Sequence, residues 1–306
     1  MIKYMQHHTI DRAKYDHCVM MDKRGLVYGF SWYLDTVAES WDALVLNDYD
    51  AVWPLPVRSK FGFKYFFRPY AVQQLGIFSK IELTEGSKLD FVKLLQKHSS
   101  YADVYLNEEQ LVGLKSFKHI KSDLNTNFTL NLNRSYREVY QGYKSNTKRN
   151  IKKADGNKLT IFEHDGPDVL INLFRAGKGA NLNLDEEFYR VMKKAMFQCL
   201  HKGVGKLWTV YGPHNQVCAG AFFVETEKRS TLLFTGQTEI GRNMQAMFYL
   251  INEYIILRSG KPMTLDFEGS NLKSLARFYE GFGPSHLYYQ RLKYNGLPLP
   301  LKWLKK

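Results

Sequence analysis

The chain has 306 residues, 44% hydrophobic and 15% aromatic, which is enough apolar volume for one large or two ordinary domains and argues against a disordered chain. Lysine and arginine number 43 against 30 aspartates and glutamates, a formal charge of +13 that favours an anionic partner: nucleic acid, a phosphorylated ligand or an acidic membrane surface. The opening MIKYMQHHTIDRAKYD is too polar for a secretory signal and no window of about 18 apolar residues occurs, so a cytoplasmic location is expected.

Taken in order, residues 10–17 and 28–37 show weak helical periodicity. Firm signals begin with strands at 43–46 and 51–57, joined through the Asp48-Tyr49-Asp50 turn. Pro54 and Pro56 suggest that the second of these is an edge strand or carries a bulge, because proline brings no N–H to a ladder. A Lys60-Phe61-Gly62 turn leads to the aromatic strand 64–70. Leu89, Val92 and Leu95 mark a helix with Thr84 and Ser87 as caps, and 102–106 is the next strand. A crossover ends in a strand at 127–132. Ser135 and Glu138 form a capping box for a helix that shows Tyr136, Val139, Tyr140 and Tyr143 on one face and continues into the basic run from Lys144 to Lys153.

A short strand at 159–162 precedes helices at 167–177 and 185–201, the second opening on the acidic turn Asp185-Glu186-Glu187. Strands at 206–211 and 217–225 follow, then a polar turn from Thr226 to Arg229 and a strand at 231–235. A helix capped by Asn243 then carries a stripe of Met244, Met247, Phe248, Ile251 and Ile255, and Gly260 and Pro262 end it. The strand 263–267 delivers Asp266 and Glu268 into a Gly269-Ser270-Asn271 turn with two potential caps. The next helix presents Leu272, Leu275, Tyr279 and Phe282 and is closed by Gly281 and Gly283.

The halves correspond at a shift of about 165 residues. Residues 51–57 match 217–223, Tyr65-Phe66-Phe67 matches Thr231-Leu232-Leu233, Gln74-Leu75-Gly76 matches Glu239-Ile240-Gly241, and 102–106 matches 263–267. Two copies of one mixed α/β unit are expected, over residues 1–125 and 126–306.

Three groups of residues carry possible chemistry. At helical spacing Lys144, Lys148 and Lys152 form a row, with Arg149 and Lys153 beside it. With no acidic residue inside the run itself, this row reads as a landing surface for phosphates, or equally as a solvated helix end favoured by the dipole. The turn from Gly236 and Gln237 through Ile240, Gly241, Arg242 and Asn243 joins a strand to a helix, and its backbone N–H groups and Arg242 suit a pyrophosphate. It is neither GxGxxG nor a Walker loop. Glu268 and Tyr279 lie where a strand end and the following helix can put two proton-handling groups in one cleft. No GxSxG elbow is present, and Cys18, Cys199 and Cys218 have neither a histidine partner nor metal-ligand spacing, so buried thiols are expected and neither a nucleophile nor a metal. The many tyrosines and phenylalanines read as core.

With YQGYKSNTKRNIKKA, TGQTEIGRNMQAMFYLINEYI and LDFEGS…ARFYEGFGP in this order, the second half resembles the GNAT acyltransferase superfamily. More closely it resembles the double-domain branch related to Fem peptidoglycan aminoacyltransferases and their acetyltransferase-like relatives, the first half fitting as a degenerate copy. The resemblance implies two tandem GNAT-like units and transfer of an acyl or aminoacyl group from an activated donor, acyl-CoA before aminoacyl-tRNA, to a small-molecule, peptide or peptidoglycan-type amine. The inserted helical arm of the tRNA-using members is not visible. The resemblance further implies donor binding at Gly236, Gln237, Ile240, Gly241, Arg242 and Asn243, although Arg242 and Met244 stand where the family pattern has small residues. It matches Tyr279 of RFYEGFG to the tyrosine general acid, where Fem-type chains tend to have lysine. Glu268 is the expected base, Lys148, Arg149 and Lys152 the anion or acceptor surface, and Asp266 structural, facing the core or paired with Arg277. The alternative is a non-catalytic module of the same fold that binds nucleic acid or anionic lipid through the basic helix.

Overall fold

The computed structural model describes residues 1–114, 117, 119–269, 273–299 and 301–304. The first part of the chain runs β1 (Ile2–Met5), α1 (Arg12–Met21), α2 (Ser31–Val37), β2 (Trp41–Leu46), β3 (Ala51–Lys60), β4 (Phe63–Phe67), β5 (Phe78–Ser79), α3 (Glu85–Lys97) and β6 (Tyr101–Tyr105). After β7 (Ile120–Asn131) come α4 (Tyr136–Gln141), α5 (Ser145–Asp155), β8 (Thr160–Phe162), α6 (Pro167–Ala176) and α7 (Glu186–His201). The chain continues through β9 (Gly205–Tyr211), β10 (Val217–Glu225), β11 (Arg229–Gln237), α8 (Glu239–Asn243), α9 (Ala246–Arg258), β12 (Thr264–Asp266), α10 (Lys273–Glu280), β13 (Ser285–Asn295) and α11 (Leu301–Leu304).

Residues 1–126 with 287–306 form one unit and 127–286 the other. The division departs from the expected one at the C-terminus, because β13 returns to the first unit as the antiparallel neighbour of β6, from Arg291 opposite Tyr105 to Asn295 opposite Tyr101. Arg291 reinforces that ladder with a bidentate pair to Asp103 at 2.7 and 2.6 Å.

The same order is met twice: β1-α1-α2-β2-β3-β4-α3-β6 and β8-α6-α7-β9-β10-β11-α9-β12. In the first unit β3 lies antiparallel to β2 and β4, and β4 parallel to β6. In the second β10 lies antiparallel to β9 and β11, and β11 parallel to β12. The strands thus correspond as the sequence shift requires. Pro54 and Pro56 do not mark an edge, since β3 is flanked on both sides. On one flank it pairs with β2 from Ala51 to Pro56, and on the other with β5 at Ala51–Val52 and with β4 from Val57. The prolines fall in the gap between these two short partners, where no ladder N–H is demanded.

β10 is buried along almost its whole length because helices cover both of its faces. Phe223 stacks on Tyr254 of α9, ring centroids 3.6 Å apart, and Gly220 lies under Leu170 and Leu173 of α6. On the α9 side the core gathers Val139, Tyr143, Ile151, Ala154, Leu250, Ile255, Tyr279 and Phe282.

The basic run is not the tail of the capping-box helix. The box forms as expected, but α4 stops at Gln141, and Lys144 becomes the N-cap of a separate helix, α5. The break exists because the chain docks on the end of α10: the Lys144 backbone N–H donates to Gly281 O at 2.9 Å. Gly283, at φ +68°, sits so close to Gly142 that a Cβ would lie 2.4 Å from the Gly142 carbonyl oxygen. Gly283→Ala should therefore destabilise the protein by about 2 kcal/mol or more, combining positive-φ strain with overpacking. An unchanged denaturant midpoint would contradict this packing.

All three cysteines are free and buried, and burial pushes the Cys18 thiol up to about 11 and the Cys199 thiol to about 12. The native protein should resist alkylation at neutral pH and take up reagent at all three only on unfolding, as mass spectrometry would show.

Candidate active site

β12 is three residues long, and Asp266 fixes its end. The Asp266 carboxylate is fully buried, accepting from Arg229 Nη1 at 2.5 Å and from the Glu268 backbone N–H at 2.8 Å. Arg229, itself 5% exposed, opens β11 across the parallel ladder from Thr264. Asp266 is structural as expected, but its partner is Arg229 and not Arg277, which lies exposed on α10. Glu268 follows in a left-handed conformation, φ +57°, half-buried. The potential caps Ser270 and Asn271, and Leu272 beyond them, lie outside the described residues.

Tyr279 comes back to this strand end from α10. It is 6% exposed, its ring stacked on Phe267 at 5.2 Å and 6.2 Å from Phe128. Among the described residues no hydrogen bond reaches its hydroxyl. Burial, reinforced by the charges of Glu268 and Asp266, raises the phenol well above the ordinary tyrosine range. Both carboxylates thus act on the same phenol, which stays protonated at neutral pH. It is equipped to donate a proton or a hydrogen bond and not to serve as a phenolate.

The turn after β11 is built differently from the expectation. Thr238 caps α8, accepting from the Gly241 N–H at 3.0 Å, and α9 starts separately after Gln245 at φ +60°, so Asn243 caps neither helix. Gly241 is required by contact with β10, since a Cβ would lie 2.0 Å from the Cys218 carbonyl oxygen. Gly236 is buried in the ladder opposite Gly220, and Gln237 is half-buried. Ile240, Arg242 and Asn243 are exposed, and among the described residues Arg242 makes no ion pair.

In α5 the inward face is Thr147, Ile151 and Ala154, leaving Arg149 and Lys152 exposed. Lys148 is half-buried, donating to Gln141 O at 3.2 Å with its ammonium 5.1 Å from the Tyr140 ring centroid. Arg149 donates to Asn146 at 2.7 Å. Lys144 is neutralised by Glu280 at 2.7 Å, an acid far away in sequence and adjacent in space. Among the described residues Lys148, Arg149 and Lys152 have no acidic partner. Sequence reasoning missed two residues here. Arg229 lay in what read as a polar turn, and Tyr143, read as a helix-face aromatic, has a buried hydroxyl without a hydrogen-bond partner.

No family model and no curated protein matches the chain. Solved structures do. FemX superposes with a TM-score of 0.69 at 12% identity, over 99% of each chain. L-PGS from Bacillus licheniformis gives 0.54 at 11% identity, over 96% of this chain and 95% of its own. A tandem GNAT protein from the clavulanic acid biosynthesis pathway gives 0.50 at 10% identity, over 97% and 100%. The chain has a GNAT-like, Fem-type fold made of two GNAT-like units. Among the described residues no helix is long and apolar enough to cross a membrane.

Asp266→Ala should cost about 3–5 kcal/mol, because it leaves Arg229 charged and buried. Tyr279→Phe should unfold at the wild-type midpoint at pH 7, since no protein hydrogen bond is lost. The raised phenol contributes stability that is full below the unfolded tyrosine value of about 10 and falls as pH rises past it. The phenylalanine variant should therefore lose less stability than wild type in alkaline denaturation series, and equal losses would contradict the burial of this hydroxyl.

Proposed function

We propose that the chain is an N-acyltransferase whose chemistry lies in the second unit. It moves an acyl or aminoacyl group, by preference from acyl-CoA, to the amine of a small-molecule or peptide-type acceptor. The observation that carries this reading is the protonated, desolvated Tyr279 beside Glu268 at the end of β12. The full-length likeness to FemX and to a tandem GNAT protein supports it. The three free, buried cysteines fit the reducing cytoplasm.

In the proposed step the amine attacks the donor carbonyl directly. Glu268, directly or through water, takes the amine proton as the C–N bond forms. Tyr279 gives its proton to the departing thiolate as the C–S bond breaks, and solvent exchange returns a proton from Glu268 to the phenolate. Asp266 holds Glu268 in place through the 2.8 Å backbone bond and makes no contact with the reacting atoms in this scheme. Arg242 and Asn243, exposed beside Gly236, Gln237, Ile240 and Gly241, would meet the donor phosphates, with backbone N–H groups of the turn available to an oxyanion. Lys148, Arg149 and Lys152, without an acidic partner among the described residues, would receive an anionic group of the acceptor.

Thermal unfolding with acetyl-CoA, a long-chain acyl-CoA, a charged tRNA and a DNA duplex tests this reading. A midpoint that climbs with acyl-CoA concentration is expected. Tyr279→Phe should keep that shift while lowering turnover by about 100-fold or more. Unchanged turnover would remove the assigned role. A salt-steep response to nucleic acid with none to acyl-CoA would replace the enzyme by a binding module.

A further inference from the structure

A cavity of about 500 Å³ opens in the first unit, between the end of α1, the segment after β5, α3 and the segment after β6. Four cations line it, Lys23, Arg24, Lys80 and Lys88, against three carboxylates, Asp22, Glu82 and Glu109.

These groups are not equivalent. Asp22 is buried and committed to Arg24. It accepts from Arg24 Nε at 2.8 Å and again from Nη2, and takes the Ser79 backbone N–H at 2.9 Å. Arg24 Nη2 also donates to Ile77 O at 2.8 Å. This closed set forms a fixed floor. The lysines come from three separate segments, and two of them, Lys23 and Lys80, are held loosely by comparison. Lys23 faces Glu109 at 3.5 Å and Lys80 faces Asp50 at 3.7 Å, both beyond good hydrogen-bond distance. Lys88 sits between Glu85 at 2.6 Å and the Leu111 carbonyl at 3.1 Å. Met21 and Ile81, both large apolar side chains left about half exposed, complete the rim.

We propose that this cavity binds a small phosphate monoester with an apolar or aromatic body, of the nucleoside monophosphate class. Lysines that line one cavity from three separate segments, two of them only loosely paired, suit a tetrahedral dianion, whereas planar carboxylate recognition would use the Arg24 fork that Asp22 already occupies. A dianion outcompetes the single, distant carboxylates of Glu109 and Asp50 for Lys23 and Lys80. Met21 and Ile81 receive the organic body, and the volume falls within the range of small-ligand pockets, roughly 300–1,000 Å³. The site involves neither Tyr279 nor any residue of the second unit, so it stands or falls apart from the transferase reading.

Isothermal titration of the full chain with adenosine monophosphate, inorganic phosphate and adenosine tests the site. Saturable one-to-one binding of adenosine monophosphate is expected. Lys80→Gln and, separately, Lys23→Gln should each weaken it about tenfold, the loss of one charge-assisted contact, with thermal unfolding of the free protein unchanged. Ile81→Ser should weaken adenosine monophosphate and leave inorganic phosphate as it was. Absence of saturable binding, equal affinity for adenosine, or indifference to both lysine substitutions would overturn the proposal.

Discussion

The buried ion pair between Arg229 and Asp266 is the constraint on which the second unit's site depends. A buried pair seldom adds much net stability, because desolvation of both ions offsets their attraction. Its value here is positional. β11 and β12 share a parallel register of three residue pairs, Arg229–Thr264 to Thr231–Asp266, and the ion pair ties the start of one strand to the end of the other. The pair closes that short ladder, and the second oxygen of Asp266 takes the Glu268 N–H, turning the chain into its left-handed step. One carboxylate therefore ends the strand, orients the candidate base and adds negative potential at the phenol of Tyr279.

The two units share a topology and differ at the corresponding place. In the first unit the chain after β4 folds back across the end of β6. There the Leu75 N–H donates to Tyr105 O at 2.9 Å, the Gly76 N–H to Asn107 at 2.8 Å and the Ile77 N–H to Gln110 at 3.0 Å. The ends of its parallel pair are thus occupied by the protein itself. In the second unit the chain leaves β11 through the Thr238-capped turn, which packs on β10, and β12 runs into Phe267 and Glu268. α10 with Tyr279 follows there. The duplication supplies the scaffold, and local sequence sets how the parallel pair of each copy ends.

Much of this was legible in the sequence wherever periodicity and capping agree. Thr84, Ser135 and Asp185 cap the helices expected of them, and Leu275, Tyr279 and Phe282 turn inward. The duplication was legible because spacing survives when identity does not. The misses share one cause: the deciding contact lies far away in sequence. Lys144 reads as a member of a cationic helix row until Glu280 and the Gly281 carbonyl, 136 positions on for the ion pair, make it a cap. Gly241 reads as a phosphate-turn glycine until Cys218 explains it by steric contact. Arg229 reads as turn polarity until burial beside Asp266 makes it the partner that Arg277 was expected to be. Pro54 reads as an edge signal until a gap between two short neighbouring strands accommodates it.

The central claim is that donor chemistry belongs to the strand end held by Arg229 and Asp266. Hydrogen–deuterium exchange of the full chain, with and without saturating acyl-CoA, addresses it most directly. The account predicts slowed exchange across β11, the turn through α8, β12 and α10. Exchange unchanged throughout residues 229–283 in the presence of bound donor would contradict it.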